Sequence, residues 1–138
     1  MKAITWIIVG VAIIGLGYYA YKKSKKSEKN ITDKIAKTKL KQEIITTETC
    51  EVVKQNDVVS YFKSLPLIKG RHIPFVARAN GFIKYFPNIS IPNGEYNVVL
   101  GVYDESSDKL STLKAIVSQK WDSEFATMIG KEDLIVLS

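Results

Sequence analysis

Nineteen consecutive residues, Ala3 to Tyr21, carry no charged side chain, and no other feature restricts the chain as much. As an α-helix the run reaches roughly 28 Å, close to the ~30 Å hydrocarbon core of a bilayer. Trp6 stands near one end and Tyr18, Tyr19 and Tyr21 cluster at the other, as amphipathic rings do at two membrane interfaces. Lys22, Lys23, Lys25 and Lys26 follow as a charged stop. A cleaved export signal needs small residues before the cut. Gly15 and Gly17 offer them, but cleavage after Ala20 would place bulky Tyr18 at the −3 position. A core helix fits worst, because Trp6 to Tyr21 is apolar nearly all round. The expectation is one transmembrane anchor over residues 1–21. Ala3, Gly10 and Gly17 recur at seven-residue spacing and offer a small-residue face for helix association.

Charge is unevenly placed. The net charge is +6, a value that suggests nucleic acid or membrane as a partner until it is located. Residues 21–41 hold nine lysines against Glu28 and Asp33, whereas residues 42–138 hold ten basic against twelve acidic side chains. The positive excess therefore follows the apolar run, and the remainder is mildly acidic, unlike a nucleic-acid-binding globule. The positive-inside rule then places the N-terminus outside and the C-terminal domain on the cytoplasmic or interior side.

Residues 22–43 read as a basic juxtamembrane tether, solvated or continuing the spanning helix as a frayed one. Ile31, Ile35, Ala36, Leu40 and Ile44 share no single helical face. Near a bilayer with anionic headgroups each lysine is worth about 1 kcal/mol. The stretch lacks aromatics and arginines, so any contact with nucleic acid there would be non-specific and salt-sensitive. Asn30-Ile31-Thr32 and Asn88-Ile89-Ser90 fit glycosylation acceptors, triplets that are common by chance.

Residues 44–138 read as one small β-rich α+β domain. Ile44 to Val53 is Thr-rich and β-branched and predicts a first strand. Asn56 or Asp57 offers a cap for a helix over 57–65, with Val58, Val59, Phe62 and Leu65 at helical spacing before Pro66. Asn80-Gly81, between Phe75–Ala79 and Phe82–Phe86, is a strong hairpin signal. Pro92-Asn93-Gly94 and the Asp104–Asp108 stretch mark two further turns, giving a four-strand antiparallel meander over about residues 72–118. In GEYNVVLGVYDE both strand faces are partly apolar, which implies cover on both sides or an interface. Asp122 caps a second short helix that ends at Gly130, and Leu134–Leu137 predicts a closing strand paired in the sheet or in an assembly contact.

The stretch ISIPNGEYNVVLGVYD also resembles the corner of an immunoglobulin-like β-sandwich, where a turn glycine precedes a tyrosine whose hydroxyl bonds back across the connection. That resemblance implies Tyr96 as the corner tyrosine and a sandwich as the alternative fold. It covers sixteen residues, without a Cys-Trp-Cys framework.

Catalytic signatures are absent from the sequence. His72 is the only histidine and Cys50 the only cysteine, so no CxxC or HExxH motif exists. His72 reads as a surface histidine and Cys50 as a small buried hydrophobe. Arg71, His72, Arg78 and Lys84 suggest a basic strip near the first hairpin. No cofactor, metal or small-molecule ligand is implied. The expected role is non-enzymatic: a single-pass protein linking a membrane to other protein subunits, as small anchored proteins do in secretion machines and membrane-containing virions. A tethered binding module is the alternative, and a membrane-bound enzyme the remote one. Deleting residues 1–21 is expected to release the chain from the membrane pellet on ultracentrifugation; a truncated product that still pellets with lipid overturns the anchor.

Overall fold

The computed structural model describes residues 33–137. The expected anchor, its interface residues Trp6, Tyr18, Tyr19, Tyr21, Lys22, Lys23, Lys25 and Lys26, and the first part of the tether lie outside these. Among the described residues no helix is long and apolar enough to cross a membrane.

The described chain is a strand-rich α+β domain. Strands β1 (Ile45–Thr49), β3 (His72–Arg78), β4 (Val98–Asp104), β5 (Lys109–Val117) and β7 (Leu134–Val136) form a mixed sheet in the order β1-β5-β4-β3-β7. β2 (Val52–Val53) and β6 (Lys120–Trp121) form a separate parallel pair. The α-helices α1 (Gln55–Lys63), α2 (Ala79–Ile83) and α3 (Ser123–Ile129) and a 3-10 turn (Gln42–Ile44) accompany them, and residues 33–36 are also helical.

β4 occupies the centre of the sheet, and all seven of its residues are buried. A strand with water on one face would alternate; this one is apolar on both because both faces are covered. Val98, Leu100 and Val102 join α1 (Val58, Val59, Phe62) and α3 (Phe125, Met128, Ile129) in one core. Val99 and Tyr103 join Phe75, Phe82, Phe86, Ile89 and Ile91 in the other. Ile35 and Leu40, from the end of the Lys-rich stretch, belong to this second core at 0% and 6% exposure. The chain expected as solvated tether is thus pinned to the domain from its residues 33–40 onward.

Several local expectations hold. The β4–β5 turn falls at residues 105–108. Asp122 caps α3 by accepting from the Phe125 N–H at 2.7 Å, and Gly130 follows with φ +58°. The closing strand β7 pairs antiparallel with β3.

Others are corrected. Instead of a hairpin at Asn80-Gly81, residues 79–83 are helical, so the meander has three strands, β3-β4-β5. Ala79, Phe82 and Phe86 recur at helical spacing, and their burial against Phe75 outweighs the local turn preference. Phe82 lies 6.0 Å from Phe75 and 4.9 Å from Phe86 between ring centroids. Gly81 serves a close approach: a Cβ there would sit 2.8 Å from Asp133 Cγ. The predicted first strand is broken into β1 and β2, and β1 runs parallel to β5. The first helix starts two residues early, at Gln55, with Lys54 in the cap position and no side-chain cap. The five-stranded sheet packs against helices on one face and against α2 and irregular chain on the other, not against a second sheet as in the sandwich alternative.

Gly101 has its own requirement. Phe75 and Leu113 are its cross-strand partners on either side, and a Cβ would run into the Phe75 ring and lie 2.9 Å from Leu113 Cδ1. The ring occupies the space that glycine leaves. Gly101→Ala is expected to cost about 2–3 kcal/mol, the usual penalty of overpacking a rigid core. A lowered urea midpoint checks this, and a midpoint equal to the parent's would show that Phe75 moves freely.

Candidate functional site

Two clusters of polar side chains stand out. The first closes the β3–β4 end of the sheet. His72 and Asp104 are cross-strand partners. The Arg71 guanidinium donates from Nε to both Asp104 oxygens at 3.0 and 3.2 Å and from Nη2 to Oδ2 at 3.0 Å. Ser106 donates its backbone N–H (2.9 Å) and its hydroxyl (2.7 Å) to Asp104 Oδ1. His72 Nδ1 accepts from the Ile68 N–H at 2.7 Å, which leaves the proton on Nε2, 3.8 Å from Asp104 Oδ2. Next to it the buried Tyr103 hydroxyl donates to Asp108. Burial, followed by that bond to a carboxylate, pushes the Tyr103 pKa up to about 12.

Chemically this knot is a clamp. The Ser106 hydroxyl is directed at a carboxylate and not at the imidazole, so no nucleophile–base pair forms. His72, read from sequence as a surface histidine, is largely enclosed: the Ile68 amide holds Nδ1, and Nε2 lies beside the Asp104 carboxylate beyond hydrogen-bond distance.

The second cluster lines a groove of about 230 Å³ where β1 gives way to β2 beside α1. Val53, Val58, Leu100 and Ile116 supply its apolar lining; Glu48, Cys50, Lys54, Asp57, Tyr61 and Lys114 supply the polar groups. Lys114 pairs with Glu48 and sits 4.6 Å from the Tyr61 ring centroid. Burial, then the nearby carboxylates Glu48 and Asp57, raises the Cys50 pKa, so its thiol stays protonated and weakly nucleophilic. Cys50 is only partly buried: it packs against the core that α1 and α3 share and also lines this groove. The volume falls below the roughly 300 Å³ of ordinary small-molecule pockets. Among the described residues no group of three or more His, Cys, Asp or Glu could hold a metal ion.

The structure does not bring the basic strip together. Arg71 is engaged by Asp104, whereas Arg78, at the far end of β3, donates to the Glu132 and Gly130 carbonyls and lies 4.9 Å over Trp121. Lys84 is exposed, apart from both. Tyr96 stands 37% exposed with its ring edge-on to Trp121 at 5.5 Å. It is its carbonyl that ties the connection, accepting from the Ser118 hydroxyl (2.6 Å) and Trp121 Nε1 (2.9 Å).

Neither cluster was visible from sequence. Arg71 and Asp104 are 33 positions apart, and Glu48 meets Lys114 only through the parallel β1–β5 pairing. Comparisons with protein-family models, with curated proteins and with solved structures find no match.

Asp104 gives a pH test. The Arg71 hydrogen bonds, then those of Ser106, hold its carboxyl well below the usual range. The unfolded chain therefore takes up a proton first as the pH falls. The stabilisation is complete above about pH 4 and is lost progressively below it. Asp104→Asn is expected to flatten this acid limb when urea midpoints are measured from about pH 5 to pH 2; a limb as steep as the parent's would remove Asp104 from that role.

Proposed function

We propose that this chain is a non-enzymatic, single-pass membrane protein whose small α+β domain holds other protein subunits close to a bilayer on the lysine-rich side. The observation that carries this reading is the order of features in the sequence. Nineteen uncharged residues with aromatic ends precede nine lysines within residues 21–41, and a mildly acidic domain follows.

The burial of Ile35 and Leu40 supports it. The link between residues 21 and 33 spans at most about 40 Å when fully extended. A domain fixed to the link at residue 35 therefore cannot wander far from the membrane, as an assembly anchor requires. Lys34 reinforces the attachment through an ion pair with Glu105 at 3.7 Å, a contact between two exposed side chains that adds little energy.

A second reading, a membrane-tethered binding module, draws on the groove beside α1. Its apolar lining and mixed polar rim are the usual ingredients of a recognition site.

Extraction of the full chain in mild detergent separates the two. Assembly predicts a large particle of fixed stoichiometry with other proteins by sedimentation and native mass spectrometry. A lone chain carrying a bound small molecule would favour the module, and a soluble chain found without membranes overturns both.

A further inference from the structure

We propose that the free edge of β1 joins two copies of this chain, antiparallel about a two-fold axis through Thr47. β1 is the outer strand of the sheet and pairs on one side only, with β5. Thr46, Thr47, Glu48 and Thr49 are exposed, so nothing among the described residues lies over the other side. Edge strands are commonly protected by proline, lysine or a bulge. The β1 sequence, ITTET, has no proline or lysine and pairs with β5 without a break in register. Threonine is instead a good strand former that bonds to threonine across a pair.

One hydrogen bond fixes which backbone groups face outward. The Cys50 N–H donates to the Val117 carbonyl at 2.9 Å, toward β5. Direction alternates along a strand. Thr46 and Glu48 therefore point to β5, and Thr47 and Thr49 present their N–H and C=O groups to the open side; Ile45 presents its C=O alone, because its N–H donates to the Gln42 carbonyl.

A two-fold axis at Thr47 uses all three. Thr47 meets Thr47 of the second copy in a doubly hydrogen-bonded pair, and Ile45 meets Thr49 through one bond, from the Thr49 N–H to the Ile45 carbonyl. Thr46 meets Glu48, so each carboxylate faces a hydroxyl. An axis at Glu48 would set two carboxylates opposite at the closest strand spacing, and an axis at Thr46 would leave Thr49 beyond the partner β1. Lys114 already neutralises Glu48 from within the same chain. The register is thus self-complementary in hydrogen bonding and in charge. Five residues a side make a small, reversible interface. The pairing stands on β1 alone and does not depend on whether residues 3–21 span a bilayer.

The test is oxidative cross-linking of the full chain in the expressing cells, with Cys50→Ser removing the native thiol. Thr47→Cys places two thiols across the axis, within the Cα separation a disulfide accepts. Thr49→Cys places them about four residues apart along the strands, roughly 13 Å. Dimer is expected from Thr47→Cys at least tenfold faster than from Thr49→Cys, judged at equal expression and an unchanged melting temperature. Equal rates, or no dimer at Thr47 in a folded chain, overturn the pairing; faster dimer at Thr49 would point to another register and overturn this one.

A charge reversal guards against folding artefacts. Thr46→Lys faces Glu48 of the second copy and should tighten the dimer. Thr46→Glu faces it with a like charge and should loosen it, a difference of roughly tenfold in dissociation constant. Within one chain Thr46 lies beside Lys114, so a mere stability effect would run in the opposite order and would overturn the proposal.

Discussion

The burial of β4 on both faces governs the rest of the molecule. A strand that hides Val98, Leu100 and Val102 on one side and Val99 and Tyr103 on the other needs two cores, and a chain of this length has few residues to supply them. α1 and α3 fill one side. The other is assembled from pieces distant in sequence: Ile35 and Leu40, α2, and the irregular stretch carrying Phe86, Ile89 and Ile91. The aromatic series Phe75, Phe82 and Phe86 provides bulk where no long helix is available. Gly101 makes room for it.

Buried polar groups hold the irregular parts in place. Asn97 donates to the Pro92 carbonyl at 3.1 Å and accepts from the Ser118 N–H at 3.1 Å, while its own carbonyl accepts from the Ala79 N–H at 2.9 Å. One side chain and its backbone thus join the loop before β4, the start of α2 and the kink between β5 and β6. Beyond that kink the parallel alignment continues as β2–β6, with Gln119 and Asp122 N–H groups donating to Glu51 and Val53. Leaving such groups unpaired would cost about 1–3 kcal/mol each, so the kink is specified by its partners.

The same arrangement bears on function. Some of the domain's charges are spent internally: Asp104 on Arg71, Glu48 on Lys114, and Arg78 on carbonyls and the Trp121 ring. Shape and backbone are also on offer for recognition, in the groove beside α1 and the open edge of β1.

By itself the sequence determined what depends on neighbours. The Asp122 cap, Gly130, the residues 105–108 turn and the two-faced β4 follow from short-range chemistry that tertiary contacts did not oppose. The anchor expected over residues 1–21 lies outside the described residues and stays an expectation. Tertiary structure decided whatever rests on distant partners. Asn80-Gly81 has the local preferences of a hairpin, yet burying Phe82 against Phe75 and fitting Gly81 beneath Asp133 made it helical. Ile35 and Leu40 show no periodicity and became core because a sheet face lay open to them. β1 became a parallel edge strand because β5 was the neighbour available, and that pairing alone created the groove and the free edge. Local propensity is worth tenths of a kcal/mol per residue, whereas burying one aromatic ring is worth about 2–3 kcal/mol, and burial set the outcome.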